Sequence, residues 1–167
     1  MSKTNLVRAS RDGDQFHHLW AARRCLKLLS SDGGPVAISI EGPSPLESGG
    51  TSSNEAGDEV IDIAEYFGSE DIRTATLVRY MQLKHSTLHA TKPWTASGLE
   101  KTLSGFAKRY KDLVQVHSND ALASKIEFWF VTNRPIGQQI LEAVADAVSG
   151  SIARDLAPNS YPVLSSL

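Results

Sequence analysis

The segment that most constrains the fold of this chain is the strand-like run TLVRYMQLKH at residues 76–85. Side chains at positions i and i+2 of a β-strand point the same way, so Gln82 and Lys84 are expected on one face. An amide oxygen and an ammonium group would then converge on one small site. The run therefore predicts a strand that ends beside a polar site.

A second strand-like run, residues 59–67, precedes the first and carries Asp62. The polar connection at residues 68–74 is short, and two such runs are most simply an antiparallel hairpin. If the turn is centred on residue 72, Asp62 lies directly opposite Gln82 on the same face. A slip of one residue would separate the two side chains, so the predicted site depends on strand register.

The other periodic segments are three helical stretches and two apolar strand-like runs. They are a helix at about 14–30, a strand at 36–41, a helix after the capping box Ser97–Glu100, a strand at 125–132, and a last helix through Ile140, Val144 and Val148. The long middle helix is predicted to bury an apolar stripe. That stripe consists of Leu99, Leu103, Phe106, Tyr110 and Leu113.

The predicted order is thus helix, strand, strand, strand, helix, strand, helix. A strand–helix–strand crossover favours a parallel pair, while the preceding hairpin adds antiparallel strands. The sequence therefore predicts an α/β fold with an αβββαβ core, in which helices flank a mixed central sheet.

Length and composition indicate one globular domain. A chain of 167 residues is too short for two ordinary domains, so residues 1–167 are predicted to form one domain, with its core at about 14–150. Hydrophobic residues make up 41% of the chain and charged residues 22%, which is typical of soluble proteins. Residues 42–57 are rich in Gly, Pro, Ser and Glu and have no period, which predicts a mobile loop.

Charge and cysteine content limit the setting in which the chain acts. The formal net charge of -2 gives no electrostatic footprint for nucleic acid. The single cysteine, Cys25, excludes a disulfide within the chain and favours a reducing compartment. No stretch approaches the roughly 18 apolar residues of a membrane span, and no signal peptide is visible. These features predict a cytoplasmic protein without a membrane partner.

The polar residues on these strands suit phosphodiester hydrolysis. That reaction needs an attacking water in line, neutralised phosphate charge and a stabilised leaving oxygen. Mg²⁺ supplies much of this when a few oxygen ligands hold it and leave waters in place. Asp62 is the principal candidate ligand, Gln82 offers its side-chain oxygen, and Glu41, at the end of the first strand, is the best-placed second acid. Weaker candidates for the site are Glu65, Asp58, Gln15 and His18.

Several short motifs together resemble a known nuclease family. They are RDGDQFHHLWAA at 11–22, SIEG at 39–42, VIDI at 60–63, RYMQLKHS at 79–86 and FVTN at 130–133. An Asp on one strand followed by a (D/E/Q)-x-K pair on the next resembles the PD-(D/E)XK nucleases, the restriction-endonuclease-like superfamily. Within it, the chain looks like the double-stranded-DNA nuclease domain of bacterial antiphage systems.

The resemblance implies an active site and a reaction. The catalytic positions would be Glu41, Asp62, Gln82 and Lys84, with Mg²⁺ held by Glu41, Asp62, Gln82 and the backbone carbonyl of Leu83. Mn²⁺ is expected to substitute for Mg²⁺. Lys84 would orient or help deprotonate the attacking water and offset phosphate charge. The substrate would be double-stranded DNA, cut with little sequence preference.

The resemblance also implies a cellular context. In this family the nuclease domain lies at the N-terminus of a larger protein and is fused to a nucleotide sensor or a STAND-type NTPase. The chain is accordingly expected to be the N-terminal domain of a bacterial cytoplasmic effector. Oligomerisation through the fused domains would bring several nuclease domains together and activate them.

One departure from the usual pattern leaves an alternative open. The family commonly has a carboxylate where this chain has neutral Gln82, which favours a catalytically degenerate nuclease fold that serves as a binding or assembly module. A purely structural ion pair between Asp62 and Lys84 would also bring those two residues together.

Overall fold

A computed structural model describes residues 3–47, 57–118 and 122–149. Within these ranges the chain forms three α-helices, four β-strands and two short 3-10 helices. The elements in chain order are α1 (Lys3–Cys25), a 3-10 helix (Leu26–Leu29), β1 (Ala37–Ile40), a 3-10 helix (Asp58–Val60), β2 (Ile63–Phe67), β3 (Leu77–Lys84), α2 (Ala96–Val116), β4 (Ile126–Thr132) and α3 (Gln138–Ser149).

The four strands form one mixed sheet in the order β1-β2-β3-β4. The β1–β2 and β2–β3 pairs are antiparallel, and the β3–β4 pair, joined through α2, is parallel. The predicted mixed α/β fold with helices on the sheet is thereby confirmed. The αβββαβ order agrees with a restriction-endonuclease-like core, although it is not specific to that fold.

The register of the β2–β3 hairpin is the one that the predicted site requires. Ile63 pairs with Met81 and Phe67 pairs with Leu77, so the hairpin is centred on residue 72. Asp62 comes one residue before the end of this ladder, and its N–H and carboxylate hydrogen-bond the backbone of Met81 and Leu83, the two neighbours of Gln82. A one-residue slip would have moved every β3 side chain to the other face of the sheet.

Each face of the sheet has its own apolar core, as alternation along the strands requires. One core faces α2 and includes Tyr66, Tyr80, Phe106 and Phe128. The other includes Ala21 of α1 together with residues of β2, β3 and β4, and Phe16 and Trp20 pack against it. No helix in the described part of the chain is long and apolar enough to cross a membrane.

Two predicted helix boundaries are wrong. Helix α1 begins at Lys3 rather than near residue 14, since the polar residues before 14 contain no proline and do not interrupt the helix. Helix α2 is capped by Thr95 rather than Ser97, because the Thr95 hydroxyl accepts a hydrogen bond from the Gly98 N–H at 3.2 Å.

The buried stripe of α2 also differs from the prediction. Thr102 and Arg109 are buried on it, whereas Leu103 and Tyr110 are only half-buried. The helix is therefore rotated toward its polar residues. Burial of polar groups is tolerated only where partners satisfy them, and the two side chains each have such partners.

Arg109 lies at the centre of a buried polar network beneath α2. Its side chain is 1% exposed and forms ion pairs with Glu47, also 1% exposed, and with Asp58 at 3.3 Å. The hydroxyls of Tyr66 and Tyr80 donate to the Glu47 carboxylate. Burial, reinforced by the charge of Glu47, raises the pKa of both tyrosines, so both remain donors.

This network holds the chain on both sides of the segment 48–56, which lies outside the described residues and within the predicted loop at 42–57. Glu47 is the last described residue before that segment, and Asp58 follows it after Gly57. Gly57 adopts a left-handed conformation with φ 96°, and a Cβ there would meet the Gly105 carbonyl at 2.4 Å. A glycine is therefore required where the chain returns to α2.

Replacing Arg109 with Met should destabilise the protein strongly, because it would leave two carboxylates beneath α2 without their cation. We expect the free energy of unfolding, measured by urea denaturation at neutral pH, to fall by about 3–5 kcal/mol. Arg73→Met is the matched control, since Arg73 pairs with Asp71 at the surface and should matter little. Equal effects of the two substitutions would contradict a stabilising role for the buried network.

Candidate active site at one edge of the sheet

The strand directions bring four chain segments to one edge of the sheet. The end of β1 meets the start of β2 because these strands are antiparallel, and the start of β2 meets the end of β3 for the same reason. The end of β4 lies beside them because β4 runs parallel to β3, with Lys84 paired to Thr132. Glu41, Asp62, Gln82 and Lys84 therefore all lie at this edge.

Asp62 joins the backbones of three strands at this edge. Its N–H donates to the Met81 carbonyl at 2.8 Å, and its own carbonyl accepts from the Glu41 N–H at 2.9 Å. Its carboxylate Oδ2 accepts from the Leu83 N–H at 2.6 Å. The chain bends at Asp62, so β2 does not continue far enough to offer a backbone carbonyl to the Leu83 N–H. The Asp62 carboxylate accepts that hydrogen bond instead.

That hydrogen bond fixes the carboxylate against the strand that carries the Q-x-K sequence. It also explains why an acid is tolerated between the buried residues Ile61 and Ile63: a charged acceptor makes a strong bond to a backbone donor. This strand was predicted to begin at residue 59, but β2 begins at Ile63. Before Ile63, the Asp62 carboxylate takes the place of a backbone carbonyl as the acceptor for β3.

Glu41 occupies an unusual backbone conformation next to Asp62. It has φ 62°, in the left-handed region that non-glycine residues rarely adopt, and the Gly42 that follows has φ 136°. Such a conformation costs on the order of 1 kcal/mol at a non-glycine residue. The hydrogen bond to the Asp62 carbonyl holds it, and the Glu41 side chain is exposed. A second carboxylate therefore lies at the same edge as Asp62.

The Gln82 side chain is 3% exposed and points toward α2, where its Oε1 accepts a hydrogen bond from the Thr102 hydroxyl. A Gln amide has a donor end and an acceptor end, and a hydroxyl can accept as well as donate. If the amide turned by half a rotation, its NH₂ would donate to Thr102 and its oxygen would face the opposite way. Thr102 can therefore hold Gln82 in either orientation.

Lys84 is exposed and lies on the same face of β3 as Gln82, as the sequence predicted. In the described part of the chain it forms no ion pair with Asp62 or any other acid. The structural ion pair considered above is therefore not observed. The ammonium remains available to an external anion at the edge where the two carboxylates lie.

A histidine that the sequence analysis did not select also reaches this edge. His17 of α1 donates from Nε2 to the Leu83 carbonyl at 2.9 Å, and the neighbouring Phe16 ring stacks on His85 with centroids 4.9 Å apart. Both backbone polar groups of Leu83 thus have side-chain partners, His17 on the carbonyl and Asp62 on the N–H. This pair of bonds fixes the residue between Gln82 and Lys84.

The four weaker candidates have other described surroundings. Glu65 is fully buried on the other face, held by Arg24 at 2.5 Å and Arg79 at 3.2 Å. Asp58 pairs with Arg109. Gln15 and His18 belong to an open concave surface of about 610 Å³ whose described lining comes from α1.

The oxygen donors at this edge fit a hard cation. Glu41 offers an exposed carboxylate, Asp62 has Oδ1 in addition to the bonded Oδ2, and the Leu83 carbonyl has a second lone pair. Oxygen ligands with room for water are what Mg²⁺ prefers. Among the residues described, no group of three or more His, Cys, Asp or Glu side chains is placed to share an ion. Neutral oxygens and water would have to complete such a site.

The sequence analysis did not select Thr102 or His17. The burial of Thr102 could have been predicted from the sequence, whereas the role of His17 could not. Thr102 is polar but lies at helical spacing between Leu99 and Phe106 on the buried stripe, so its burial could have been read from the spacing. His17 and His18 are adjacent, and only one can face the sheet. The choice between them depends on how α1 docks, which local spacing does not determine.

Comparison with known proteins gave no match: no protein-family model matches the chain, and no curated protein matches it. The function is therefore inferred from the geometry of this edge and from the short motifs that line it.

Replacing His17 should distinguish its hydrogen bond from mere packing. His17→Leu removes the donor to the Leu83 carbonyl, and we expect the free energy of unfolding to fall by about 1–3 kcal/mol. His17→Gln offers an amide N–H in its place and should recover part of that loss. The measurement is urea denaturation at neutral pH.

The control is the same change at the neighbouring histidine. His18→Leu should alter the free energy of unfolding by less than about 0.5 kcal/mol, because His18 has no hydrogen bond to β3 in the described residues. If Gln at position 17 were as destabilising as Leu, the hydrogen bond to Leu83 would not matter.

Proposed function

We propose that this chain is a metal-dependent endonuclease domain of the PD-(D/E)XK type that hydrolyses phosphodiester bonds of double-stranded DNA. The observation that carries the proposal is the bond from the Leu83 N–H to the Asp62 carboxylate. It fixes an acid against the strand that presents Gln82 and Lys84. These are the residue types that the superfamily uses for this reaction.

Each residue of the candidate site would have its own role in phosphodiester hydrolysis. Asp62 and Glu41 would hold Mg²⁺, with the Leu83 carbonyl and, after rotation of its amide, Gln82 as neutral ligands. The bound cation would supply charge neutralisation and lower the pKa of a bound water. Lys84, which has no acidic partner in the described structure, would orient the attacking water and offset the charge of the scissile phosphate.

The motif resemblance supports a biological setting for this activity. We propose that the domain is an effector of bacterial antiphage defence in the cytoplasm, and that it cuts DNA with little sequence preference. Activation would follow when fused sensor or NTPase domains assemble several copies. The net charge of -2 is compatible with this scheme, because weak contacts from several copies add up on one DNA molecule.

A second function is favoured by a different observation. The Gln82 oxygen, the Leu83 carbonyl and Asp62 Oδ2 each already accept a hydrogen bond from the protein. A site whose ligand atoms are engaged internally is also what a degenerate nuclease fold would retain for stability. Such a domain would act as a binding or assembly module and would need no metal.

Cleavage of supercoiled plasmid tests the enzymatic proposal. The wild-type chain should nick and linearise plasmid with Mg²⁺ or Mn²⁺ but not with EDTA, when assayed both dilute and concentrated. Asp62→Ala and Lys84→Ala should each reduce the rate by about 10²–10⁴-fold. Lys108→Ala, an exposed substitution on α2, is the matched control and should cut like wild type.

A metal titration separates the two proposed functions without relying on cleavage. Mn²⁺ should raise the thermal unfolding midpoint of the wild-type chain, because a ligand that binds only the folded state stabilises it. Asp62→Asn should abolish that increase. The absence of both cleavage and a metal-dependent increase in the wild type would favour the binding module.

A further inference from the structure

Arg134, which follows β4 by two residues, is held rigidly without being neutralised. Its guanidinium lies over the Trp94 ring, 4.0 Å from the centroid. Its Nε donates to the Lys92 carbonyl at 2.9 Å, and its Nη2 donates to the Pro93 carbonyl at 3.1 Å. Carbonyl oxygens and an aromatic face orient the positive charge but do not cancel it.

The other half-buried or buried arginines of the described chain have acidic partners. Arg24 and Arg79 pair with Glu65, and Arg109 pairs with Glu47. In the described ranges, Arg134 forms no ion pair with a carboxylate. A guanidinium that is already ordered and whose charge is uncompensated is suited to bind an external anion. Binding would cost little side-chain entropy, because the side chain is already fixed.

Two exposed lysines are connected to Arg134 through backbone contacts. Lys92 is joined to it through its own backbone carbonyl, and Lys84 pairs with Thr132, whose hydroxyl accepts from the Arg134 N–H at 3.1 Å. Neither lysine has an ion-pair partner among the residues described. Trp94 completes the unit by donating from Nε1 to the same Thr132 hydroxyl at 3.0 Å.

These cations lie at the same edge of the sheet as Asp62, because Lys84 is the last residue of β3, Arg134 follows the end of β4, and the Lys92 backbone is hydrogen-bonded to Arg134. The ends of the two strands are held together by Asn133 and Ser86. The Asn133 amide exchanges two hydrogen bonds of 3.0 Å with the backbone of Ser86. These hydrogen bonds hold the chain that follows β3 to the chain that follows β4.

We propose that Arg134, Lys92 and Lys84 form a phosphate-contacting surface for duplex DNA. The three charges are distributed over two adjacent strand ends and the segment before α2, which suits a polyanion that crosses the edge better than one small anion. Contacts of this kind position a duplex without reading its sequence. For the identity of its ligand the inference rests on the proposed function, but the surface would bind DNA whether or not the chain cuts it.

Salt-dependent DNA binding in EDTA tests this surface apart from catalysis. Affinity of the full chain for a short duplex of mixed sequence is measured by fluorescence anisotropy between about 50 and 200 mM salt. Arg134→Gln and Lys92→Gln should each reduce the magnitude of the slope of log affinity against log salt by about 0.9, and each should weaken binding about five- to tenfold near 0.1 M salt.

Matched controls carry the same substitutions elsewhere on the surface. Arg73→Gln and Lys111→Gln remove exposed charges away from this edge and should leave the slope unchanged. Arg134→Lys keeps the charge but loses the planar group, so it should retain most of the slope. If Arg134→Lys lost as much slope as Arg134→Gln, the effect would be structural and the proposal would be overturned.

The remaining outcomes are equally decisive. The proposal is overturned if the wild-type chain does not bind the duplex at low salt, or if the control substitutions reduce the slope as much as Arg134→Gln does. Binding with the expected slopes but without plasmid cleavage in Mg²⁺ would support the surface and count against the nuclease. Cleavage that is unaffected by Arg134→Gln, with an unchanged slope, would overturn the surface alone.

Discussion

The register of the β2–β3 hairpin is the constraint on which the rest of the structure depends. With Ile63 opposite Met81, Tyr66 and Tyr80 face α2 while Glu65 and Arg79 face the other side. A slip of one residue would move side chains to the opposite face of the sheet. Charged side chains would then enter the apolar core beneath α2, and the tyrosines would leave it. The same register ends β2 where the Asp62 carboxylate can reach the Leu83 N–H. Fold and candidate site are therefore determined together.

Each face of the sheet stabilises this register with its own buried ionic group. On the α2 face, Arg109 and Glu47 lie against the two tyrosines. On the other face, Glu65 joins Arg24 of α1 to Arg79 of β3. Buried ion pairs contribute little net stability compared with apolar packing, but breaking one by moving a single partner is costly. We infer that these groups act here mainly by penalising alternative registers.

Much of the fold follows from local sequence, but the polar partners of the site do not. The hairpin centre and the shared face of Gln82 and Lys84 follow from period-two alternation, so they could be predicted. The burial of Arg109 could not, because it depends on Glu47 and Asp58, which are distant in sequence from α2. His17 was missed for a similar reason: its partner is a backbone carbonyl 66 residues away, and no pattern marks a carbonyl.

The distribution of charge explains why net charge is a poor guide to partners here. The chain carries 17 basic and 19 acidic residues, which sum to -2. Acids neutralise the arginines inside the fold. Arg134, Lys92 and Lys84, which backbone contacts bring to one edge of the sheet, have no acidic partner in the described structure. The electrostatic potential that a bound polyanion experiences depends on uncompensated charges within about a Debye length of it. The net charge of the whole chain matters much less. On the proposed function, a domain with few phosphate contacts would bind DNA weakly alone, and assembly of several copies would control how much DNA it engages.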